Sequence, residues 1–596
     1  MPDSPKKEAD GVLKLVVKSD GSEVDEKKCR VISAIVDKKI NRIPWAQLVL
    51  IDGDMSDKTF EVSSDAAFKP GAEITLEVGY GKTAVPVFKG VVITHGINIH
   101  EGGSHLVVEC RDKAVALCTL RKNTNHTDSS DSDILSKMIK ACSGLSADVA
   151  STRPVHPRMV QYQATDWDFM LTRADANGLL VTVEDAKVSV KPPKTDGEAV
   201  LKVTWGDDLV RFRAEMDARQ QVAASRGVSW DPKTLAIAEK TGSKPSLQAQ
   251  GNVTTDQLAK VVKADKAVLR SAVPMEGDSL KAWADARLLK AGMARIRGTM
   301  RFQGSAKVSP GDLVDVEGVG ERFNGKVFVA TVHHDISQGD WYTDVEFGLS
   351  PEWFSEREDI SPPKASGQLP GVDGIQVGLV TKLDADPAKE TRIQVSLPVM
   401  ENSTQGIWAR LSTLYGTNGA GTFFIPEVGD EVVLGFFNSD PRHPVILGSL
   451  QGSRHKMPNQ PEAKNNTKAI VTREKMKITF DEEKKVITVE TPGGNKMTIS
   501  DDAKGITLED QNKNTLTLND KGITLDSPKD IKVTAKGKIT LDAMGAASVT
   551  SKSDVKLKGM NVNAAADVGL VAKGNASAEL SASGQTTVKG AMVMIN

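Results

Sequence analysis

"GITLDSPKDIKVTAKGKITLDA", residues 522–543, repeats one apolar phrase three times, with Ile523, Ile531 and Ile539 eight residues apart. Each phrase has apolar residues at its first and third positions, which lie on one face of an extended strand. Two apolar side chains in eight residues bury too little surface for a strand to be stable alone, so each octad has to stack on others. The period therefore indicates a β-prism with sides about 25 Å long.

The octads continue through ITLDSPKD, IKVTAKGK, ITLDAMGA, ASVTSKSD and VKLKGMNV. Later octads are expected to keep this length while their composition drifts toward Ala, Ser and Gly. Three octads complete one turn of a triangular prism, and either one chain or three identical chains can supply the three sides. The periodicity alone leaves both arrangements open.

The last residues, "KGAMVMIN", place apolar side chains at the end of the prism. A soluble protein normally covers such side chains and unpaired strand edges. We therefore expect a separate capping partner to contact the tip, and the alternative is a frayed terminus. The expected contact residues are Met592, Val593, Met594 and Ile595.

Charge and composition exclude several classes of protein. The chain has 76 basic and 78 acidic residues and a formal net charge of -2, so nucleic acid is not expected as a partner. Its four cysteines have no CxxC spacing, which favours reduced thiols in a cytoplasmic protein. The N-terminus lacks the apolar region of a signal peptide, so we expect assembly in the cytoplasm and export without a Sec-type signal.

The first fifth of the chain is predicted to be β-structure. Residues 11–115 contain alternating or continuous apolar runs separated by Gly, Asp and Pro. A Pro-Gly turn followed by Phe-x-Gly and an apolar strand occurs there and again 240 residues later. This repetition predicts two related hub barrels, and it is carried by Pro70, Gly71, Phe88, Gly90, Pro310, Gly311, Phe323 and Gly325.

Helical patterns interrupt the strands between these barrels. Trp167, Met170, Leu171 and Ala174 have helical spacing, Thr165 suits a capping residue, and Asn-Gly follows as a stop signal. After the second barrel, six short apolar strands in about 80 residues have the density of an OB-type barrel. The expected segments are hub β-barrel 1 (1–120), an α/β insertion of the hub (121–230), a polar and helical connector (231–290), hub β-barrel 2 (291–360), an OB-fold domain (372–451), a linker (452–467) and an octad-repeat β-helix spike (468–596).

The stretch "GTFFIPEVGDEVVLGFFNSDPRHPVILGSLQG", residues 421–452, resembles the OB-domain signature of the VgrG family. These are the spike proteins of type VI secretion and related contractile injection systems, kin to phage hub and tail-spike proteins. "DWDFMLTRADANGL" (166–179) is similar to the family's hub helix, and the octads resemble its spike. The signature is carried by Pro426, Gly429, Asp430, Glu431, Val432, Asp440, Pro441, Pro444, Gly448 and Ser449.

The resemblance implies a mainly β homotrimer with duplicated hub barrels, an OB barrel and an intertwined β-prism. It also implies that the hub binds a hexameric inner-tube protein and baseplate proteins, and that the tip binds a PAAR-type conical protein or an effector. The target membrane would be met only on firing. The residues expected to line the trimer core are Ile506, Ile523, Leu525, Ile531, Val533, Ile539, Leu541, Val555 and Leu557.

No enzyme chemistry, cofactor or metal site is expected from the motifs. Neither GxSxG nor HExxH occurs in the sequence. His95, His100 and His105 recur every five residues, and this odd spacing sends alternate side chains to opposite faces of one strand. The alternative function is a phage-type tail spike with cell-wall hydrolase activity, which would need a compact domain with paired carboxylates. A passive adhesin is disfavoured because Phe480 is the one aromatic residue after 470.

Overall fold

The structure is a computed structural model that describes residues 2–8, 10–398 and 406–595. The chain forms two compact units, Met1–Ser449 and Leu450–Asn596. Strands predominate over helices, so the fold is mainly β, as the sequence predicts. All eight tryptophans lie in the first unit, the last of them being Trp408.

Residues 10–360 of the first unit form what we call the hub. Its helices are α1 (Glu61–Ser64), α2 (Asp131–Lys140), α3 (Asp166–Ala176), α4 (Thr255–Val261) and α5 (Gly277–Met293). Its strands are β1 (Leu13–Ser19), β2 (Ser22–Glu23), β3 (Val31–Lys39), β4 (Trp45–Ile51), β5 (Glu73–Tyr80), β6 (Val85–His100), β7 (Gly103–Arg111), β8 (Arg121–Ser130), β9 (Ser146–Val149), β10 (Val155–Thr165), β11 (Leu180–Glu184), β12 (Lys187–Lys191), β13 (Leu201–Thr204), β14 (Leu209–Met216), β15 (Ser225–Asp231), β16 (Ala236–Thr241), β17 (Ala267–Ser271), β18 (Ile296–Gln303), β19 (Leu313–Glu317), β20 (Gly325–Ser337) and β21 (Asp340–Phe347).

The hub contains two repeats of one strand arrangement. The first repeat pairs its strands in the order β1-β5-β6-β7-β4-β3, and the second in the order β13-β19-β20-β21-β18-β14. When the six strands are numbered along the chain, both repeats have the sheet order 1-4-5-6-3-2. Each repeat has its own core, one around Leu48, Phe68 and Leu76 and the other around Phe302 and Val316. The strand order therefore supports the duplication that the Pro-Gly turns suggested.

The two repeats are joined directly, because β3 pairs antiparallel with β20. All their strands, together with β2, thus belong to one continuous sheet of 13 strands. The repeats differ in the direction of one strand pairing: β1 runs antiparallel to β5, whereas β13 runs parallel to β19. The two β-barrels of the hub are halves of one hydrogen-bonded body.

The Pro-Gly turns of the two repeats are equivalent in detail. Gly71 and Gly311 have φ of 95° and 98°, a region that L side chains rarely adopt. The amide of Gly71 donates to the carbonyl of Val92, and the amide of Gly311 donates to that of Val329. The amide of each valine donates back to the residue that follows the glycine.

The Phe-x-Gly motifs are less alike. Phe88 and Gly90 lie inside β6, whereas Phe323 lies in the turn before β20 and Gly325 begins that strand. Gly90 precedes the bonded valine of its repeat by two residues and Gly325 precedes that of its repeat by four. The duplication therefore rests on strand order and on the turns.

The first insertion packs α2 and α3 against two small sheets. One sheet pairs β8 with β10, and the other has the order β11-β12-β9. The α3 helix begins where its capping residue predicts, since the Thr165 hydroxyl accepts the amide of Asp168 at 3.0 Å. The sequence analysis assigned the residues of β13 and β14 to this insertion, but β13 pairs with β19 and β14 pairs with β18. The second repeat therefore begins before residue 291, where the second barrel was expected to start.

The residues expected to form a polar, helical connector contain a second α/β insertion. It has a three-stranded sheet of order β16-β15-β17, and α5 packs on β15 and β16. A side chain at Gly227 would meet the Leu280 carbonyl at 2.8 Å, so this glycine allows α5 to lie close to the sheet. The insertion lies between β14 and β18, which correspond to the β3–β4 hairpin of the first repeat.

The OB barrel completes the first unit. Its strands are β22 (Gln376–Lys382), β23 (Ile393–Ser396), β24 (Ile407–Leu411), β27 (Glu431–Phe436) and β28 (Pro444–Ser449), and they close in the order β22-β23-β24-β28-β27. A small hairpin of β25 (Gly416–Thr417) and β26 (Ala420–Gly421) projects between β24 and β27. Val395, Val432, Leu434 and Ile446 are fully buried at its centre.

The second unit begins as an antiparallel sheet of seven strands in sequence order. They are β29 (Thr467–Val471), β30 (Lys477–Asp481), β31 (Val486–Glu490), β32 (Lys496–Ser500), β33 (Gly505–Glu509), β34 (Thr515–Asn519) and β35 (Gly522–Asp526). Among the described residues of this unit, none after Asp526 belongs to a strand. The octads beyond it therefore have no strand partner within the chain.

Candidate assembly interface

The register of β29–β35 separates the sheet into a polar and an apolar face. On the polar face, six threonines lie directly opposite one another across six strands. Cross-strand threonine pairs stabilise antiparallel sheets. This threonine column consists of Thr479, Thr488, Thr498, Thr507, Thr517 and Thr524.

Alternating charges run beside the threonine column on the same face. Lys477, Glu490, Lys496 and Glu509 oppose one another in turn across β30–β33. Lys477 and Glu490 form an ion pair of 2.9 Å, and the hydrogen bond and charge of the lysine hold the pKa of Glu490 below its usual range. This face is suited to water.

The opposite face is apolar across the six strands β30–β35. Two columns of large side chains flank the position of the threonines, one beginning at Ile478 and the other at Phe480. We call these two columns the apolar face. It consists of Ile478, Phe480, Ile487, Val489, Met497, Ile499, Ile506, Leu508, Leu516, Leu518, Ile523 and Leu525.

The apolar face is uncovered in the single chain. Phe480, Ile487 and Ile499 are 37–38% exposed, and Ile523 at the last strand reaches 75%. A contiguous apolar surface of this kind marks a protein interface. Each chain thus presents a pre-formed sheet with one side that needs a partner.

The octads after Asp526 present apolar side chains in the same way. The chain turns at regular bends that begin at residues 528, 536, 544, 552 and 560. Every described residue from 528 to 595 is exposed, and Val533 and Leu541 are 71% and 92% exposed. The eight-residue period of the sequence is therefore the spacing of the corners.

The residues expected to line the trimer core fall in both parts. Ile506, Ile523 and Leu525 lie on the apolar face. The others lie in the octads, each on an exposed side between two bends, and they are Ile531, Val533, Ile539, Leu541, Val555 and Leu557. Sequence reasoning missed the earlier members of the apolar face, although the apolar-Thr-apolar triplets in KITFD, VITVE and KMTIS were a visible signal.

The expectation that the later octads keep their length is wrong at one place. After the bend that begins at residue 560, the next begins at 567, and those that follow begin at 575, 583 and 591. One side of the prism is therefore one residue shorter than the others.

The expected tip residues are exposed. Met592, Val593, Met594 and Ile595 have 79%, 49%, 82% and 91% of their surface accessible. Met592 lies in the last bend, and the other three residues follow it. Their assignment to a partner surface stays a prediction.

The OB signature residues form the turn and strand starts of the barrel. Gly429 has a φ of 92° and its amide donates to the Val380 carbonyl at 2.8 Å, so the turn locks β27 onto β22. The Asp430 carboxylate accepts the Glu427 amide at 2.9 Å. Glu431 begins β27, Pro444 begins β28, Pro426 is buried, and Gly448 lies in β28 opposite Val433.

The sequence analysis placed three hub histidines on one strand, but only His95 and His100 share β6, and His105 lies in β7. His100 and His105 lie on the two strands of the β6–β7 hairpin, and the His100 Nε2 and His105 Nδ1 atoms are 3.2 Å apart. The His95 ring bonds instead to Ser63 and the Phe68 carbonyl. Treating the three as one strand missed the turn between them. Within the part of the chain that the structure describes, no group of three or more His, Cys, Asp and Glu could hold a metal ion.

Three family models match the chain. Residues 376–450 match the type VI secretion system/phage-baseplate injector OB domain, and residues 486–596 match the phage baseplate V C-terminal trimerisation domain. Residues 9–338, more than half of the chain, match the Alg8 N-terminal domain.

In the residues the structure covers, no helix has the length and apolar character needed to cross a membrane.

Several solved structures are similar at low identity. The Escherichia coli c3393 protein, a type VI secretion component, is 12% identical, covering 73% of this chain and 99% of that one with a TM-score of 0.36. A Francisella PdpA-VgrG complex chain is 10% identical, covering 86% and 88% with a TM-score of 0.38. A Shewanella oneidensis prophage tail protein is 12% identical, covering 57% and 98% with a TM-score of 0.42.

An injector OB domain followed by a phage baseplate trimerisation domain places the chain in the class of VgrG-type and phage-baseplate spike proteins. The chain belongs to the Alg8 N-terminal domain family, whose model matches residues 9–338 and so spans most of the hub.

Proposed function

We propose that the chain is the non-enzymatic, homotrimeric spike at the tip of the inner tube of a contractile injection system. It pierces a target envelope when the machine fires and carries a tip protein or effector. The observation that carries this proposal is the apolar face, which continues into octads without a strand partner in their own chain. Three copies that turn these faces toward a common axis give each other an interior.

The mechanism is mechanical. The threonine column and the alternating charges, which share one face of the sheet, remain outside. The main-chain groups of each octad pair with the neighbouring chains of the proposed trimer. We call the second units of the three associated chains the rod. Separating the chains would break many layers of hydrogen bonds at once, which makes the rod stiff.

The hub repeats support a role in matching symmetry. Two repeats with the same strand order in each of three chains give six similar units around one axis. A hexameric inner-tube protein has six equivalent contacts to satisfy. The threefold spike then seats on the sixfold tube without any catalytic residue, with other baseplate proteins around the hub.

The tip residues Met592, Val593, Met594 and Ile595 offer an exposed apolar end to a partner. A PAAR-type conical protein or an effector covering them would remove this surface from water. Assembly is expected in the cytoplasm, before the particle is loaded or released.

Light scattering of the purified chain tests the assembly. We expect a mass close to three times 63.9 kDa, because the apolar faces are satisfied only when three chains associate. A stable species of 63.9 kDa at micromolar concentration would contradict the proposal.

The alternative is a phage-type spike that hydrolyses cell wall. A peptidoglycan zymogram distinguishes the non-enzymatic spike from the cell-wall hydrolase. Lysozyme is the positive control, and the heat-treated chain is the negative control. We expect no clearing at the position of the chain. A cleared band that disappears on heating would favour the hydrolase.

A further inference from the structure

The bends of the octad segment fall into two series that are out of phase by one residue. The first series begins its bends at 528, 536, 544, 552 and 560, and the second at 567, 575, 583 and 591. Both series have a period of eight. The change of phase lies within one short side, residues 561–566.

In the first series, the core-forming residues stand third and fifth after the start of each bend. This rule gives Ile531 and Val533, Ile539 and Leu541, Ala547 and Val549, Val555 and Leu557, and, after the bend at 560, Asn563 and Ala565. Third and fifth residues share one face of an extended strand, as the two columns of the apolar face do.

The same rule applied to the second series again selects residues without charge. It gives Leu570 and Ala572, Ala578 and Leu580, Thr586 and Val588, and finally Met594. Backbone bends and side-chain polarity, two separate observations, therefore agree on the same frame.

Counting by eight from Ile523 and Leu525 without the phase change predicts a different interior. This count places Glu579, in the series of Ile523, and Lys573 and Lys589, in the series of Leu525, on the axis. Three copies of each charge would then face one another away from water, which is strongly unfavourable without counter-charges. The uninterrupted frame is therefore disfavoured relative to the shifted frame, which places no charged side chain on the axis.

We propose that the rod changes frame by one residue between 560 and 567, so that the interface with two further copies of this chain continues to the tip. This inference rests on the proposed trimer. The interior of the tip segment is formed by Leu570, Ala572, Ala578, Leu580, Thr586, Val588 and Met594. At the end of the rod Met594, rather than Ile595, closes the interior, and Val593 and Ile595 lie on the outer face.

Two neighbouring residues give a matched test. Leu570 is inside in the shifted frame and Val571 is inside in the uninterrupted frame, and both are largely exposed in the single chain at 68% and 88%. Leu570→Lys and Val571→Lys each replace an apolar residue with the same charge and add one trypsin site. Neither substitution touches the fold of the hub.

The readout is tryptic cleavage of the rod in the full-length trimer, with light scattering on the same samples. We expect Leu570→Lys to expose residues 562–595 to rapid cleavage, while Val571→Lys stays as resistant as the unsubstituted chain. The reverse pattern, or equal sensitivity of both variants, would overturn the frame change. If the unsubstituted chain itself scatters as a monomer, the proposed trimer fails instead, so the two failures are distinguishable.

Discussion

Ile487→Lys combined with Ile499→Lys is expected to destroy the rod and release its residues to protease while leaving the hub folded. Both isoleucines lie opposite each other on the apolar face, in β31 and β32. In a trimer the change places six ammonium groups where six isoleucine side chains are buried. Burial of an isoleucine contributes about 1.5–3 kcal/mol, so the loss is on the order of 10 kcal/mol per trimer before the cost of the charges.

The measurement is limited trypsin digestion of the full chain, followed by gel analysis and light scattering. The octads carry lysines at 529, 532, 536 and 538, all exposed in a single chain. Main-chain pairing with neighbouring copies would protect them. We expect the double variant to be trimmed to a fragment that ends near the linker, and the unsubstituted rod to persist.

The control is Thr488→Lys with Thr498→Lys. Each threonine is adjacent in sequence to one of the two isoleucines, and the two threonines lie opposite each other and point to the polar face. The control adds the same charges and the same trypsin sites, so it isolates the effect of the face. Persistence of the rod in the isoleucine variant, or its loss in the threonine control, would show that the apolar face is not the interface.

Several elements of the fold could be read from the sequence because their signals are local. The α3 helix has its capping threonine, its apolar spacing and its Asn-Gly stop within 14 residues, and the structure ends the helix at Ala176. The octads are equally local, since each corner and side repeats within eight residues. Local propensity and pattern agree in both cases, which is the condition under which such predictions succeed.

The features that escaped prediction depend on distant pairings. The pairing of β3 with β20 places His333 beside Asp37, which lies almost 300 residues earlier in the chain. The sequence of neither strand indicates that the other is its partner. The sheet in the second insertion pairs β15 with β17 across a helix, in a stretch whose composition is mostly polar. The histidine pair of β6 and β7 required knowledge of the turn at residues 101–102.

The sequence analysis did not predict the frame change in the rod, for a different reason. A loss of one residue among octads rich in Ala, Ser and Gly leaves little contrast between the two faces. A one-residue slip in a strand moves every side chain to the other face, so small errors of register reverse the assignment. The bends provided the missing reference.

Asp131→Ala is expected to lower the stability of the hub by about 3 kcal/mol, because it leaves the partly buried Arg173 guanidinium without the carboxylate that pairs with it. The Asp131 carboxylate is 1% exposed and lies at the start of α2. Arg173 donates to it twice, at 2.7 and 2.9 Å, and Asn177 donates at 2.8 Å. His156 Nε2 lies 3.1 Å away.

The pH dependence follows from the same contacts. Burial alone would raise the pKa of Asp131, but the hydrogen bonds and charge of Arg173, with Asn177 and His156, outweigh burial and hold it below its usual range. A carboxyl whose pKa is depressed in the folded state stabilises the fold above its unfolded pKa of about 3.9. That contribution is lost as pH falls through the folded pKa. The stability difference between the unsubstituted chain and Asp131→Ala should therefore shrink as the pH falls below about 4.

Urea unfolding followed by tryptophan fluorescence measures this effect on the first unit alone, since no tryptophan follows Trp408. The control is Asp148→Ala in the same insertion, where the carboxylate is solvated and pairs with Lys187 and Lys191. Water replaces these partners readily, so we expect little change in the midpoint. Equal shifts for the two variants, or a difference from the unsubstituted chain that grows as the solution is acidified, would show that the buried Asp131 cluster does not hold α2 and α3 together.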